Sequence, residues 1–254
     1  MKIGIIGMGT LGSTIFKIMS VFYEDVQSYD KDQKKCTIKL FMNILDSNVI
    51  FLCLPTPLNE RGRLDSTYIT QYLEILKNTS YKGLIIIKST LPLGFFKTAR
   101  KYKLRILYSP EFLHENKALA EFLDPKFVVC SGSEEDFIEY INVLYWVPTN
   151  RFSKVGDRTA EITKLAMNAF ASTKISFVNE VERICKLNGA DIEIVMEFLR
   201  KDGRCAPEYS YPNRGPYGGK CLEKDTSELR HCTPNTFLLE GVIKTNERTK
   251  REQK

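Results

Sequence analysis

Apolar residues fall in short blocks over the first half of the chain and at helical spacing over the second, and this change divides it in two. Residues 2–7, Val26–Asp30, Asn48–Leu54, Leu84–Lys88, 104–108 and 126–130 are compact apolar runs, of strand length. Between them, Leu11–Phe22 carries a helical apolar pattern, and Ile69, Leu73, Ile75 and Leu76 recur at helical spacing within Ser66–Asn78. Pro55-Thr56-Pro57 stops the third run sharply. Strands alternating with helices predict an α/β fold, a Rossmann-like and mostly parallel sheet with functional loops at the strand carboxyl ends.

After Trp146 the pattern becomes helical. A long central helix is predicted from Gly156-Asp157 through Asn179 or beyond, with Ile162, Leu165, Ala166, Ala169, Phe170 and Ile175 on its apolar surface. Gly189-Ala-Asp191 reads as a turn and a new helix start, buried through Ile192, Val195, Met196 and Leu199. Residues 202–220, rich in Gly, Pro and Tyr, should form an ordered loop over a cleft. Asp225–His231 reads as a short helix, and a last helix begins at Phe237 and runs to Asn246. The predicted domains are therefore residues 1–153, carrying the sheet, and 154–254, the central helix with a small helical domain; no internal repeat is present.

Composition narrows the function. The 254 residues include 37 basic and 31 acidic side chains, a formal charge of +6. Much of that excess lies in the sign-alternating tail from Lys244, which reads as a solvent-facing helix end, and no basic patch is interleaved with regularly spaced aromatics. Nucleic-acid binding is not expected. No apolar run is long enough to span a bilayer, and the first residues look like a strand rather than a leader, so neither membrane association nor secretion is expected. The seven cysteines lack the short paired spacing of a zinc site. The expectation is a reduced, cytoplasmic protein with no metal.

Two motifs carry chemistry. Gly7-Met8-Gly9-Thr10-Leu11-Gly12 follows the first strand and opens a helix, a dinucleotide fingerprint. Gly7 permits the tight turn, Gly9 the approach of backbone to pyrophosphate, and Gly12 close helix–sheet packing. Asp30 ends the second strand, where it could accept from ribose hydroxyls and repel a 2′-phosphate, which favours NAD over NADP. The second motif is Gly218-Gly-Lys-Cys221-Leu-Glu-Lys224-Asp225. A cysteine near a helix start is biased toward thiolate, and Asp225 shares its helical face; the plainer alternative is a helix stop followed by surface polarity. Lys164 and Asn168, one turn apart, fit either an oxyanion site or a lysine reaching past apolar neighbours to solvent. Glu111 and Glu115 are a further pair four apart, and Ser89 and Thr90 close an apolar strand where hydroxyls can face a cofactor or cap the next segment.

With these motifs the chain resembles the UDP-glucose/GDP-mannose dehydrogenase family. The resemblance runs from Met1 to about Asn246 through the glycine fingerprint, Leu54-Pro-Thr-Pro57, Lys88-Ser-Thr-Leu-Pro92, Ser109-Pro-Glu-Phe-Leu-His-Glu115, Lys164-Leu-Ala-Met-Asn168, Phe177-Val-Asn-Glu180, Asp202-Gly-Arg204 and the Cys221 motif. It implies NAD-dependent four-electron oxidation of a nucleotide sugar 6-alcohol to the acid. UDP-glucose is the first expectation, GDP-mannose or another UDP-sugar an alternative, and a non-catalytic or partner-dependent NAD-binding regulatory protein another. It further implies a Cys221 thiohemiacetal and thioester, with Lys164, Asn168 and an ordered water near Asp225 stabilising oxygen anions or handling the first proton, and Thr90 and Glu111 directing water. Pro55, Thr56, Pro57, Ser89, Thr90, Glu115 and Lys224 would join the glycine loop in holding NAD. Phe112, Leu113, Glu115, Tyr209, Tyr217 and Gly218 would line the substrate. Arg204 would reach a neighbouring subunit's substrate in a homodimer built on the central helix. The departures are a contracted stretch after Asp30, Pro216 before the glycine pair, and an end soon after the Phe237 helix, so that the family's further C-terminal α/β domain is expected to be missing.

Overall fold

The computed structural model describes residues 1–38, 40–202 and 208–253. In chain order these form β1 (Lys2–Ile6), α1 (Thr10–Phe22), β2 (Asp25–Tyr29), β3 (Val49–Leu52), α2 (Thr67–Asn78), β4 (Leu84–Ile87), α3 (Phe95–Ala99), β5 (Ile106–Tyr108) and α4 (Ala118–Leu123). There follow β6 (Val128–Cys130), α5 (Glu134–Val143), β7 (Phe152–Lys154), α6 (Asp157–Asn188), α7 (Ile192–Lys201), α8 (Gly219–Arg230) and α9 (Phe237–Glu252). The chain divides into two compact units, one of residues 1–57 with 65–164, the other of 58–64 with 165–254.

The N-terminal unit is built on an all-parallel five-stranded sheet of order β2-β1-β3-β4-β5. Strand residues alternate between two cores. Ile3, Ile5, Val49, Phe51, Leu84, Ile86 and Leu107 face one, while Ile6, Ile50, Leu52, Ile85, Ile87, Ile106 and Tyr108 face the other. A sheet buried on both faces explains why the strands read as unbroken apolar runs rather than alternating ones. From β2 the chain returns past β1 to β3, so the strand order reverses between β1 and β3. That reversal opens the crevice where open α/β sheets hold ligands. β6 and β7 pair in parallel as a separate ribbon, joined to the main sheet by the Tyr108–Ser131 bridge.

Several strands are shorter than the apolar runs that announce them. The β4–β5 ladder pairs only Ile85–Ile87 with Ile106–Tyr108, because a strand lasts only as long as its neighbour. The apolar runs also gave no sign of α3, α4, α5 or β7. For α5 a signal was present in Ser133, which caps the helix by accepting from the Asp136 N–H at 3.1 Å, and in the acidic first turn Glu134-Glu135-Asp136.

The C-terminal unit contains α6 from Leu165 onward with α7, α8 and α9. α6 is a continuous helix of 32 residues. α8 starts at Gly219, six residues before the short helix expected at Asp225, because Gly219 takes a left-handed φ of +78° that turns the chain into the helix. α9 continues past Asn246 to Glu252.

Residues 58–64 form a strap that packs with this unit although its chain neighbours belong to the other. Glu228 of α8 is fully buried, and its carboxylate accepts from Arg63 Nε at 2.9 Å, Arg63 Nη2 at 2.7 Å and the Leu64 N–H at 2.8 Å. Ser227 Oγ donates to the Gly62 carbonyl at 2.8 Å. A buried carboxylate is tolerated only when so paired. We therefore expect Arg63→Met to destabilise the protein by about 3 kcal/mol in urea unfolding, with Arg63→Met/Glu228→Leu recovering most of the loss.

Candidate active site

At the carboxyl edge of the sheet, five successive strand ends supply the expected residues. After β1, Gly7 has φ +93°, and a Cβ there would sit 2.5 Å from the Cys53 carbonyl oxygen, so the turn demands glycine. A Cβ on Gly12 would collide with the Gly7 carbonyl oxygen, which brings α1 hard against the turn. A Cβ on Gly9 would meet nothing within 4 Å, leaving open space beside the first turn of α1. This turn has no side-chain cap and no acidic residue, so its N–H groups remain available to an anion. Asp30, after β2, accepts from the Met8 N–H at 2.6 Å and the Asp32 N–H at 2.9 Å. Those bonds tie the second strand end to the glycine loop, and each carboxylate oxygen keeps a lone pair for a hydroxyl donor. The loop, the bare helix terminus and the acidic strand end fit a dinucleotide.

After β3 come Pro55, Thr56 and Pro57, with Thr56 buried. After β4 come Ser89, whose hydroxyl donates to the Leu54 carbonyl at 2.7 Å, and the buried Thr90. After β5 the chain turns through Ser109-Pro110-Glu111. Glu111 accepts from the Leu113 N–H at 2.7 Å and faces the Lys164 ammonium at 3.7 Å. Lys164 is 4 % exposed, with its Nζ 5.6 Å from the centre of the Phe112 ring. It does not reach past its neighbours to solvent; Glu111, Phe112, Leu113 and Lys164 are one cluster.

The C-terminal unit holds the second constellation. Asp225 is fully buried in α8; its carboxylate accepts from Asn168 Nδ2 at 2.5 Å and from Lys224 Nζ at 2.6 Å. Next to it, Thr226 Oγ1 donates to Ser172 Oγ at 2.8 Å, and Ser172 donates to the Asn168 carbonyl at 3.1 Å. Motif spacing does not disclose this second stitch. Cys221 is exposed in the first turn of α8, one turn before Asp225. Gly218 caps the helix in extended conformation. Tyr217 is buried, its carbonyl accepting from Asn246 Nδ2 at 3.0 Å, and burial pushes its phenol up. Tyr209 is exposed with φ +62°. Arg204 and the Glu115 side chain lie outside the described residues.

Residues 35–147 match the NAD binding domain of the UDP-glucose/GDP-mannose dehydrogenase family, and residues 158–248 match its central domain. The chain belongs to this family. NAD is the cofactor for which its N-terminal domain is built. The chain is 31% identical over 232 residues to UDP-glucose 6-dehydrogenase of Pseudomonas aeruginosa, covering 83% of the chain and 51% of that protein. It thus spans about half the length of the curated relatives it matches. Among solved structures, a UDP-glucose dehydrogenase from Pyrobaculum islandicum superposes with a TM-score of 0.87 at 21% identity, over 98% of this chain and 68% of that one. A UDP-D-ManNAc dehydrogenase from Pyrococcus horikoshii superposes with 0.84 at 21%, over 99% and 69%. These two show the shared fold. Among the described residues no helix is long and apolar enough to cross a membrane.

One buried group stands outside every role expected from the motifs. Lys88 is 4 % exposed at the end of β4, and burial pushes its ammonium down to about 8. The unfolded chain holds this proton more tightly, at the ordinary value of 10.5. The cost of burying the charge is therefore complete below the folded value and is relieved as pH rises toward the unfolded one. Urea unfolding across this range should show wild type gaining about 3 kcal/mol relative to Lys88→Met between the two values.

Proposed function

We propose that this chain carries the NAD-dependent oxidation of a nucleotide sugar 6-alcohol to its acid, with UDP-glucose as the leading substrate. The observation that carries the reading is Cys221 itself, exposed in the first turn of α8 above a buried aspartate bonded to Asn168. A two-electron alcohol dehydrogenase has no use for a nucleophile in that position.

Bound NAD supplies the acceptor for a hydride, and two molecules are consumed for each acid formed. Lys164 and Asn168 hold the substrate oxygen and stabilise its negative charge when the alcohol proton leaves. Cys221 sulfur adds to the aldehyde carbon, forming a thiohemiacetal that keeps the aldehyde bound. Loss of the second hydride converts this to a thioester. Glu111, aided by Thr90, takes a proton from water; the water oxygen adds to the thioester carbonyl and the Cys221 thiolate leaves. The carboxylate and three protons result, balancing two hydrides removed and one water added. Asp225, bonded to Asn168 and Lys224, keeps the amide aimed and balances the lysine charge.

An apolar stripe on α6 supports a homodimer. Met167, Phe170, Phe177, Ile184 and Leu187 are all exposed, with Phe170, Phe177 and Ile184 at seven-residue intervals. Such a stripe is the seam of a helix-to-helix contact. Light scattering on wild type and Phe177→Asp should give a dimer and a monomer respectively.

Purified protein supplied with NAD and UDP-glucose should release two NADH per acid formed, read by absorbance and product mass together. Cys221→Ser should lower acid formation by about 100-fold or more while leaving NAD affinity unchanged. GDP-mannose and other UDP-sugars complete the panel. Wild type that binds NAD but turns over none of them sinks the proposal and leaves a non-catalytic or partner-dependent NAD-binding protein.

A further inference from the structure

Lys88 is buried without the pairing that buried charges require. Its Nζ donates to Ser109 Oγ at 3.3 Å, and Ser109 in turn donates to the Tyr140 hydroxyl at 3.3 Å. Among the described residues it forms no ion pair. The groups that face it come from every neighbouring element. They are the Cys53 thiol after β3, the Cys130 thiol in β6, Glu111 after β5, Lys164 in α6, and the Phe122 ring of α4, 5.9 Å from Nζ. Burial pushes both thiols up to about 12, so they are neutral at ordinary pH. The charged neighbours are therefore Glu111, which attracts the ammonium, and Lys164, which repels it.

A methionine would fill this volume at no desolvation cost, so stability does not explain a lysine here. Position does. Ser109 directly precedes Pro110-Glu111, and the Ser109 N–H is held by the Ile87 carbonyl at 3.0 Å, one residue before Lys88. The Lys88–Ser109 bond thus adds a side-chain brace to the last rung of the β4–β5 ladder, immediately beneath the turn that presents Glu111. We propose that Lys88 is a positioning residue: its ammonium, braced on Ser109, fixes the Glu111 turn and couples by charge to the Glu111–Lys164 pair.

The inference rests on the reaction proposed above, in which Glu111 takes a proton from water and Lys164 stabilises charge on the substrate oxygen. Lys88 acts through Glu111 and Lys164. While it is charged, its attraction to Glu111 and its repulsion of Lys164 bear on how those two groups are held. Loss of its proton removes both, so its titration should appear in the rate profile.

The test compares wild type with Lys88→Met and Lys88→Arg, measuring kcat, KM for NAD and Tm from about pH 6 to about pH 10. Lys88→Met should melt at or above wild type near neutral pH, keep KM for NAD within about twofold, and lose about tenfold in kcat. It should also lack the alkaline break of the wild-type profile. Lys88→Arg should restore kcat near neutral pH and carry no break over this range, because a guanidinium stays charged. Three superimposable profiles overturn the proposal, as does a Lys88→Met protein that loses Tm but keeps kcat. If wild type turns over no nucleotide sugar, the reaction assignment has failed, and the inference is decided without turnover. In protein labelled with 13C-lysine, with the Lys88 signal assigned by its loss in Lys88→Arg, Glu111→Gln should lower the Lys88 midpoint by about half a unit or more. A midpoint that does not move overturns it.

Discussion

A parallel sheet must be covered on both faces, and most of the N-terminal unit follows from that requirement. Each strand sends one set of side chains into the α1/α4/α5 core and the alternate set into the α2/α3 core. Fully buried residues such as Ile3, Ile86 and Leu52 each contribute roughly 1.5–3 kcal/mol through removal from water. No polar side chain can be accommodated within β3 or β4, where every residue is buried. Polar groups therefore collect where the strands stop, and every crossover returns the chain so that the next strand stops on the same edge. Asp30, Thr56, Thr90 and Glu111 share an edge because their strands share a direction.

The same constraint makes the buried charges informative. Glu161 is fully buried, yet its carboxylate is satisfied by the Gly94 N–H at 2.6 Å and the Phe96 N–H at 2.8 Å, and burial still pushes its pKa up. It secures the start of α3 and has no part in the proposed chemistry. Glu228 is similarly saturated by the strap. Asp225 differs, because its two partners, Asn168 and Lys224, belong to the family motifs themselves. Buried charges paired away from the motifs organise the scaffold, while the pairing of Asp225 joins one motif to another.

Much of the site was legible along the chain because the residues concerned are close in sequence or confined by backbone geometry. Gly7, Gly9 and Gly12 lie within one turn and helix start, and at Gly7 a local φ of +93° and at Gly12 a carbonyl in the way exclude a side chain wherever the rest of the protein lies. Lys164 and Asn168, or Cys221 and Asp225, are neighbours because a helix repeats every 3.6 residues. The start of α8 was legible only in part, for the opposite reason: the motif places Cys221 near a helix start, yet the helix itself reads from Asp225. Gly219 looks like a helix stop from composition alone, and whether a left-handed glycine ends one helix or opens the next depends on the chain that follows.

By itself the sequence determined the alternating α/β order, the dinucleotide turn, the long central helix and the motifs that mark the family, since these rest on periodicity and on backbone sterics over a few residues. Tertiary structure decided which distant groups meet. Asn168 and Asp225 are 57 positions apart, Arg63 and Glu228 are 165 apart, and Lys88 and Ser109 are 21 apart. No local rule selects one of these pairings over another. They form because burial withdraws water from each polar group, and only the partner that the packed chain brings within hydrogen-bond distance can replace it.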